Sequence, residues 1–227
     1  VLSYANEQKT DLLLISGDFF DRPPSLMDIR EVDYLLKRLD RTKTVWIAGN
    51  HDHLKKGSSL ECYEWESDTI FLKSPELEKV RLPRLSATIY GLSYWQDQIT
   101  EPLYDSIQLE DGEDIRILLA HGGDEKHIPI QKEKLKWSGF DYIALGHIHK
   151  PEIIFEDLMA YAGSLEPLDH TETGAHGFME GEISEEKKII SFVPFAKREY
   201  MQTEVLVTEE MSGEEILDRI ETEIAYR

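Results

Sequence analysis

One short stretch of this sequence, residues 44–52, reads Thr-Val-Trp-Ile-Ala-Gly-Asn-His-Asp and contains the pattern from which the fold is predicted. Its first five residues are apolar or β-branched and predict a buried strand, and the four that follow predict a turn with metal-competent side chains. The same succession occurs three more times: Leu12–Ser16 leads into Gly17-Asp18, Ile115–Ala120 into His121, and Tyr142–Leu145 into Gly146-His147. The sequence therefore predicts four strands that each end in polar ligands.

Helical patterns lie between these strands. Ile29, Val32, Leu36 and Leu39 recur at helical spacing after Pro23-Pro24-Ser25, and Lys132–Ser138 predicts a shorter helix. Strands that alternate with helices indicate an α/β domain. Beyond Glu152 the pattern changes to strands, which we predict at Ile153–Phe155, Met159–Ala162, Gly177–Ile183 and Ile189–Phe195.

The carboxyl ends of strands in an α/β sheet are where ligands bind, so we expect the strand exits to share one cleft. Five of the eight histidines fall at these exits. Each motif taken singly is also typical of an ordinary turn or a core histidine, but their joint occurrence favours a metal site. Imidazole, carboxylate and amide donors suit Mn²⁺, Fe or Zn rather than Ca²⁺ or a thiolate-bound metal. The strand exits would thus place an Asp, an Asn and several His side chains in one cleft.

Composition excludes several classes of protein. The 227 residues are 41% hydrophobic, too apolar for a wholly disordered chain, and the longest apolar runs are far shorter than the roughly 18–20 residues of a membrane span. The single cysteine, Cys62, excludes an internal disulfide and favours a reducing compartment, so we expect a cytoplasmic protein. With 25 basic and 45 acidic residues, the net charge of −20 should repel a polyanion on average.

The ordered motifs resemble those of the calcineurin-like metallophosphoesterases. They are Gly-Asp-x-x-Asp at 17–21, Gly-Asn-His-Asp at 49–52, His-Gly at 121–122 and Gly-His-x-His at 146–149. A closer resemblance is to SbcD-type DNA repair exonucleases. It rests on Gly17–Asp21 with the following Pro-Pro-Ser, on Ala144–Pro151, and on Tyr161–Pro167 leading to Glu172–Phe178.

The resemblance implies a four-layer α/β/β/α sandwich with two divalent metal ions. Asp18 would bridge both ions, Asn50, His121 and His147 would complete one, and His149 would help to bind the other. Because members of this family usually bind Mn²⁺, the resemblance favours that ion, and Fe or Zn stay open. The family's Asp-x-His motif, which serves the ion that His149 helps to bind, does not occur before Asp18. Because the chain opens without Met, we expect that motif in a preceding part of a longer protein.

The expected reaction is phosphodiester hydrolysis by a water that two metal ions activate for in-line attack. His51 would contact the phosphate and stabilise or protonate the leaving oxygen, oriented by Asp52. Three cations, Arg22, Lys55 and Lys56, directly follow the first two motifs and are candidate DNA contacts, although solvated surface charges need no such explanation.

Residues 1–198 are predicted to form the phosphoesterase domain and residues 199–227 to begin a small α+β capping domain. In the latter segment we expect a strand at Val205–Val207, a capping box at Ser212–Glu215 and a helix with Ile216, Ile220 and Ile224 on one stripe.

Three functions remain open from the sequence. The first is a DNA exonuclease or endonuclease that works with an SbcC-type ATPase, with a homodimer also open. The second is an enzyme for small phosphodiesters or phosphomonoesters, and the third is a metal-deficient scaffold protein. The strand and helix expected after residue 198 favour the first over the second.

Overall fold

The computed structural model describes residues 1–225 except residues 106, 108, 110, 111, 113 and 185. Within this part of the chain, the first sheet is parallel and contains β1 (Leu12–Ser16), β2 (Lys43–Ile47) and β3 (Thr69–Leu72), in that spatial order. The second sheet contains β4 (Glu78–Leu82), β5 (Ala87–Gly91), β6 (Ile115–His121), β7 (Tyr142–Gly146), β8 (Glu152–Phe155) and β9 (Met159–Tyr161), arranged β4-β5-β6-β7-β9-β8. Its edge strands β4 and β8 are antiparallel to their neighbours, and the inner strands are parallel. A separate antiparallel hairpin joins β10 (Gly177–Ile183) to β11 (Lys188–Pro194).

The helices of the described residues are α1 (Leu2–Gln8), α2 (Leu26–Leu36), α3 (Ser59–Cys62), α4 (Lys132–Lys136) and α5 (Gly213–Ala225). A single 3₁₀ turn at Pro83–Leu85 connects β4 to β5. In this part of the chain no helix has both the length and the apolar character needed to cross a bilayer. Cys62 is a free, exposed cysteine at the end of α3.

The two sheets pack face to face because the residues of each strand alternate between two cores. In β2, Val45 and Ile47 are buried between the sheets, whereas Trp46 lies on the opposite face with Ile29 of α2. The second sheet contributes to the same inter-sheet core through Ile117, Leu119, Tyr142 and Ala144. Alternate residues of β6 and β7 face the outer core, where Leu135 of α4 packs. The layers therefore follow the expected order α/β/β/α.

Helix α2 begins where the sequence provides a complete N-terminal cap. The Ser25 hydroxyl accepts a hydrogen bond from the Asp28 backbone N–H at 3.3 Å, and the Asp28 carboxylate accepts one from the Ser25 N–H at 2.8 Å. Ile29 and Leu36, two turns apart, are both buried, and Ile29 packs with Trp46 of the first sheet. The cap thus fixes which face of α2 covers the aromatic core around Trp46.

The four strands that carry the expected ligands are confirmed, as are α2, α4, the later strands and the capping box that begins α5. Strands β3, β4 and β5 were not predicted from the sequence. The prediction of a strand at Val205–Val207 is wrong. These residues pair with no other strand of the described chain, and Leu206 is 76% exposed. Helix α5 buries none of its residues against the rest of the chain described here. The domain boundary near residue 198 stays a prediction.

A buried carboxylate, Asp33, joins α2 to the segment before β3. One oxygen of Asp33 accepts hydrogen bonds from the Tyr63 hydroxyl at 2.9 Å and the Glu66 N–H at 3.0 Å, and the other accepts from the Ser67 N–H at 2.9 Å. Burial opposes ionisation, but these donors outweigh it and hold the pKa of Asp33 below its ordinary value of 3.8. The contribution of Asp33 to stability is therefore present above pH 3.8 and is lost as the pH falls through the lower pKa of the folded state.

We predict that Asp33→Asn lowers the free energy of unfolding by about 1–3 kcal/mol at pH 7, since the substitution removes a charged acceptor from three donors. Urea denaturation measures this loss. The difference from the unsubstituted protein should shrink below pH 3.8, where Asp33 is protonated in the unfolded state. Glu31→Gln, on the exposed side of the same helix, is the matched control and should change stability by less than about 0.5 kcal/mol. Equal losses in both variants would contradict this account of Asp33.

Candidate metal centre

Four strand ends, two from each sheet, meet at one edge of the sandwich. Asp18 follows β1 and Asn50 follows β2 in the first sheet, while His121 ends β6 and His147 follows β7 in the second. The sheets touch directly at this edge, where the Ser16 hydroxyl donates to the Ala144 carbonyl at 3.2 Å. The expected cleft at the carboxyl ends of the strands is therefore present.

Glycines at two of these exits permit the close approach of the sheets. A Cβ atom at Gly49 would lie 2.6 Å from Cε1 of His121 and would also overlap the Asp18 side chain. A Cβ atom at Gly146 would overlap the backbone of Ser16 across the sandwich. Since real Cβ atoms are not found at such separations, any larger residue at Gly49 or Gly146 would push the two sheets apart.

The side chains of Asp18, Asn50, His121 and His147 form one continuous group. Nε2 of His121 lies 2.9 Å from Oδ1 of Asn50 and 3.2 Å from Oδ2 of Asp18, and Nδ1 of His147 lies 3.1 Å from the same Asn50 oxygen. Asp18 adopts a left-handed backbone conformation, with φ of 50°, and its Oδ1 accepts the His51 N–H at 2.8 Å. Four of the five predicted ligands are thus brought together.

The orientation of His121 makes this group fit for a cation. Its Nδ1–H donates to the Ser16 carbonyl at 2.7 Å, so Nε2 presents a lone pair to the oxygens of Asn50 and Asp18. Three acceptors that converge without a proton between them repel one another, and a divalent cation removes that repulsion. The His121 side chain is fully buried, and burial makes the repulsion between unpaired acceptors more costly, so the group needs a cation more strongly. The second nitrogen of a metal-binding histidine is usually held by such an acceptor.

The protonation states of Asp18 and His147, the other two ionisable side chains of the group, also suit a bound cation. Burial opposes ionisation of Asp18, but the neighbouring His121 side chain and the hydrogen bond from the backbone N–H of His51 lower its pKa below the ordinary value. Burial lowers the pKa of His147, and the neighbouring His121 and His127 add to that effect. At neutral pH the group therefore offers a carboxylate and a neutral imidazole, the forms that bind a metal.

The fifth predicted ligand, His149, lies outside this group in the structure. Its Nδ1 faces Oε1 of Glu172 at 2.5 Å, and it does not belong to the cluster formed by Asp18, His121 and His147. The side chain of His149 is 37% exposed. Its assignment to a second ion stays a prediction.

The structure corrects the expected relation between His51 and Asp52. The Asp52 carboxylate is fully buried and accepts the Gly49 N–H at 2.7 Å and the Phe20 N–H at 3.2 Å, which joins the first two ligand loops. Burial and the nearby charge of Asp18 raise its pKa to about 6. The His51 imidazole instead donates from Nδ1 to the Asp21 carbonyl at 3.0 Å. Asp52 therefore braces the loops and does not orient His51.

A second group of metal-competent side chains adjoins the first through His147. Oδ2 of Asp124 lies 2.8 Å from Nε2 of His147, and the same oxygen lies 2.8 Å from Nδ1 of His127. Burial opposes ionisation of Asp124, but the two histidines outweigh it and hold the pKa of Asp124 well below its usual range. Neither Asp124 nor His127 was predicted from the sequence; the available signal was the position of Asp124 directly after the His121-Gly122-Gly123 exit.

The three candidate DNA contacts, Arg22, Lys55 and Lys56, are exposed in the segments that follow the first two ligand loops. Of the remaining histidines, His53 lies 2.8 Å from the Asn50 carbonyl, and buried His176 lies 2.8 Å from the Ser164 hydroxyl. The contact of the Arg22, Lys55 and Lys56 side chains with DNA stays a prediction.

The chain belongs to the calcineurin-like phosphoesterase family, whose model matches residues 1–151. It is also similar to the uncharacterized metallophosphoesterase YhaO of Bacillus subtilis (strain 168), with 30% identity over 194 residues. That match covers 78% of this chain and 47% of YhaO, so the chain spans about half the length of this curated relative. The predicted family is therefore confirmed, whereas phosphoester hydrolysis and the use of divalent metals by this chain stay predictions. The SbcD type and the identity of the metal are finer predictions.

We predict that Gly49→Ala weakens Mn²⁺ binding at least about tenfold, because the added methyl group displaces Asp18 and His121 from the group they form. Isothermal titration calorimetry of the full-length protein measures the affinity, and circular dichroism checks that the variant folds. Gly213→Ala is the matched control, since a Cβ atom at that position has nothing within 4 Å. Unchanged affinity in a folded Gly49→Ala protein would contradict the assignment of this site.

Proposed function

We propose that this chain hydrolyses phosphodiester bonds in DNA, as an exonuclease or endonuclease of the SbcD type that depends on Mn²⁺. One observation carries the proposal: a carboxylate, an amide and two imidazoles converge at an open edge of the sandwich, beside an exposed histidine. Asp18, Asn50, His121 and His147 would hold a cation. When bound, divalent cations supply Lewis acidity for the attack of water on the phosphate.

His51 is the proposed general acid for the leaving oxygen. Its side chain is 46% exposed, and the Asp21 carbonyl holds Nδ1–H, so Nε2 is left to exchange a proton with the substrate. The Asp21 carboxylate also lies 3.7 Å from Nδ1, on the side of the ring that faces away from Nε2. The His51 backbone N–H also binds Asp18, which keeps the ring next to the proposed cation site.

The proposal of an extended anionic substrate is supported by exposed cationic side chains near the site. Arg22, Lys55 and Lys56 are exposed and follow the ligand loops directly, so they offer local positive charge on a chain whose net charge is −20. Binding of DNA would then depend on these cations and on the metal ions rather than on the average surface potential. The same net charge favours the second candidate, an enzyme for small phosphoesters.

The protein partner and the compartment are also proposals. We propose an SbcC-type ATPase as partner, a cytoplasmic location, and residues 199–227 as the start of a capping domain. Helix α5 supports the capping domain, because it is amphipathic and buries none of its residues against the described chain. Its apolar stripe includes Ile224, which is 66% exposed and therefore available to further protein.

The test compares two substrates in the full-length protein with Mn²⁺, namely linear double-stranded DNA and bis-p-nitrophenyl phosphate. The proposal predicts hydrolysis of both, and chelation by EDTA should abolish both activities. Activity on the small diester with none on DNA, alone or with an SbcC-type ATPase, would contradict the nuclease proposal. Absence of both activities together with weak metal binding would favour a scaffold protein.

We predict that His51→Ala slows DNA hydrolysis by about 10²–10⁴-fold and slows hydrolysis of bis-p-nitrophenyl phosphate much less. The reason is that a nucleotide alkoxide needs a proton to leave, whereas p-nitrophenolate leaves without one. Values of kcat for the two substrates check the prediction. His170→Ala, at an exposed histidine outside the site, is the control and should leave both rates unchanged. An equal loss on both substrates would argue against general-acid catalysis by His51.

A further inference from the structure

The three histidines predicted as metal ligands share one arrangement, although His149 lies outside the group at the strand ends: one ring nitrogen of each is held by a fixed acceptor. His121 donates from Nδ1 to the Ser16 carbonyl at 2.7 Å. Nε2 of His147 faces Oδ2 of Asp124 at 2.8 Å, and Nδ1 of His149 faces Oε1 of Glu172 at 2.5 Å. Two of the three acceptors are carboxylates from loops outside the ligand motifs.

These carboxylates decide where the proton of each imidazole resides. His147 lies between the neutral Asn50 oxygen at Nδ1 and the charged Asp124 oxygen at Nε2, and the charged acceptor forms the stronger hydrogen bond. The proton therefore stays on Nε2, and Nδ1 presents its lone pair to the side of Asn50. By the same reasoning, Glu172 holds the proton of His149 on Nδ1 and leaves Nε2 as the free lone pair.

Both carboxylates are themselves held in position by backbone donors. Oδ1 of Asp124 accepts the N–H groups of Lys126 at 2.7 Å and His127 at 2.9 Å, and the His127 ring binds the same carboxylate. Oε2 of Glu172 accepts the Leu168 N–H at 2.9 Å, which leaves Oε1 for His149. Each acceptor therefore has one oxygen tied to its own loop and one directed at an imidazole.

We propose that Asp124 and Glu172 are positioning residues that hold His147 and His149 in the one tautomer that binds a divalent cation. The inference rests on the proposed metal site and adds two residues that act on it through histidines. Removal of such outer partners typically costs 10–100-fold in metal affinity. It also gives Glu172, part of the block that resembles SbcD-type proteins, a specific chemical task.

The other reading of this region is a separate cation bound by Asp124, His127 and His147, whose ligand atoms lie within 4.8 Å of one another. His147 would then need lone pairs on both nitrogens at once, one for each ion. An imidazole that has lost both protons is unfavourable at neutral pH. The positioning role requires only the neutral ring.

The first test is nuclear magnetic resonance of the metal-free full-length protein labelled with ¹⁵N-histidine. The signals of His147 are identified by their absence in His147→Gln. We expect the Nε2–H tautomer of His147 in the unsubstituted protein and a shift toward Nδ1–H in Asp124→Ala. Glu125→Gln, an adjacent exposed carboxylate with the same loss of charge, should leave the tautomer unchanged. An Nδ1–H tautomer in the unsubstituted protein, or no change in Asp124→Ala, would overturn the inference for Asp124.

The second test is Mn²⁺ affinity measured by calorimetry. Asp124→Ala and Glu172→Ala should each weaken binding about 10–100-fold, and the conservative Asp124→Glu and Glu172→Asp should restore part of it. Glu125→Gln should bind as the unsubstituted protein does. Failure of the unsubstituted protein to bind Mn²⁺ would contradict the proposed function, whereas normal binding in both alanine variants would overturn this inference alone.

Discussion

The close contact between the carboxyl edges of the two sheets is the constraint on which the rest of the structure depends. Strands β1 and β2 of one sheet and β6 and β7 of the other each deliver one polar side chain to the same point. Glycine at positions 49 and 146 allows the backbones to approach closely enough for this. Behind this edge, alternating apolar residues of the two sheets pack face to face and hold the ends of the four strands at fixed positions relative to one another. The site is thus a property of the sandwich rather than of any one loop.

Converging acceptors make this edge dependent on positive charge. Asp18, Asn50 and the lone pair of His121 face one another, and the His121 side chain is fully buried. A divalent cation would satisfy all three and would add local positive charge to a chain whose net charge is −20. The same converging acceptors therefore account both for the need of the site for positive charge and for the use of metal ions in the calcineurin-like phosphoesterase family.

The site could largely be predicted because its signal is local: an apolar strand followed directly by glycine and a ligand. Strands Thr69–Leu72 and Glu78–Leu82 were not predicted because their apolar runs are short and the sequence does not indicate which strands they pair with. The loop-bracing contacts of Asp52 and the histidine contacts of Asp124 and Glu172 join segments distant in the chain. Spacing alone carries no information on such contacts, since tertiary packing decides them.

The most direct measurement is an anomalous difference map from crystals soaked in Mn²⁺ and recorded near the manganese absorption edge. We expect a peak within bonding distance of Asp18, Asn50, His121 and His147. A map without a peak there, or with manganese bound only at other positions, would contradict the claim that these four strand ends form a metal centre.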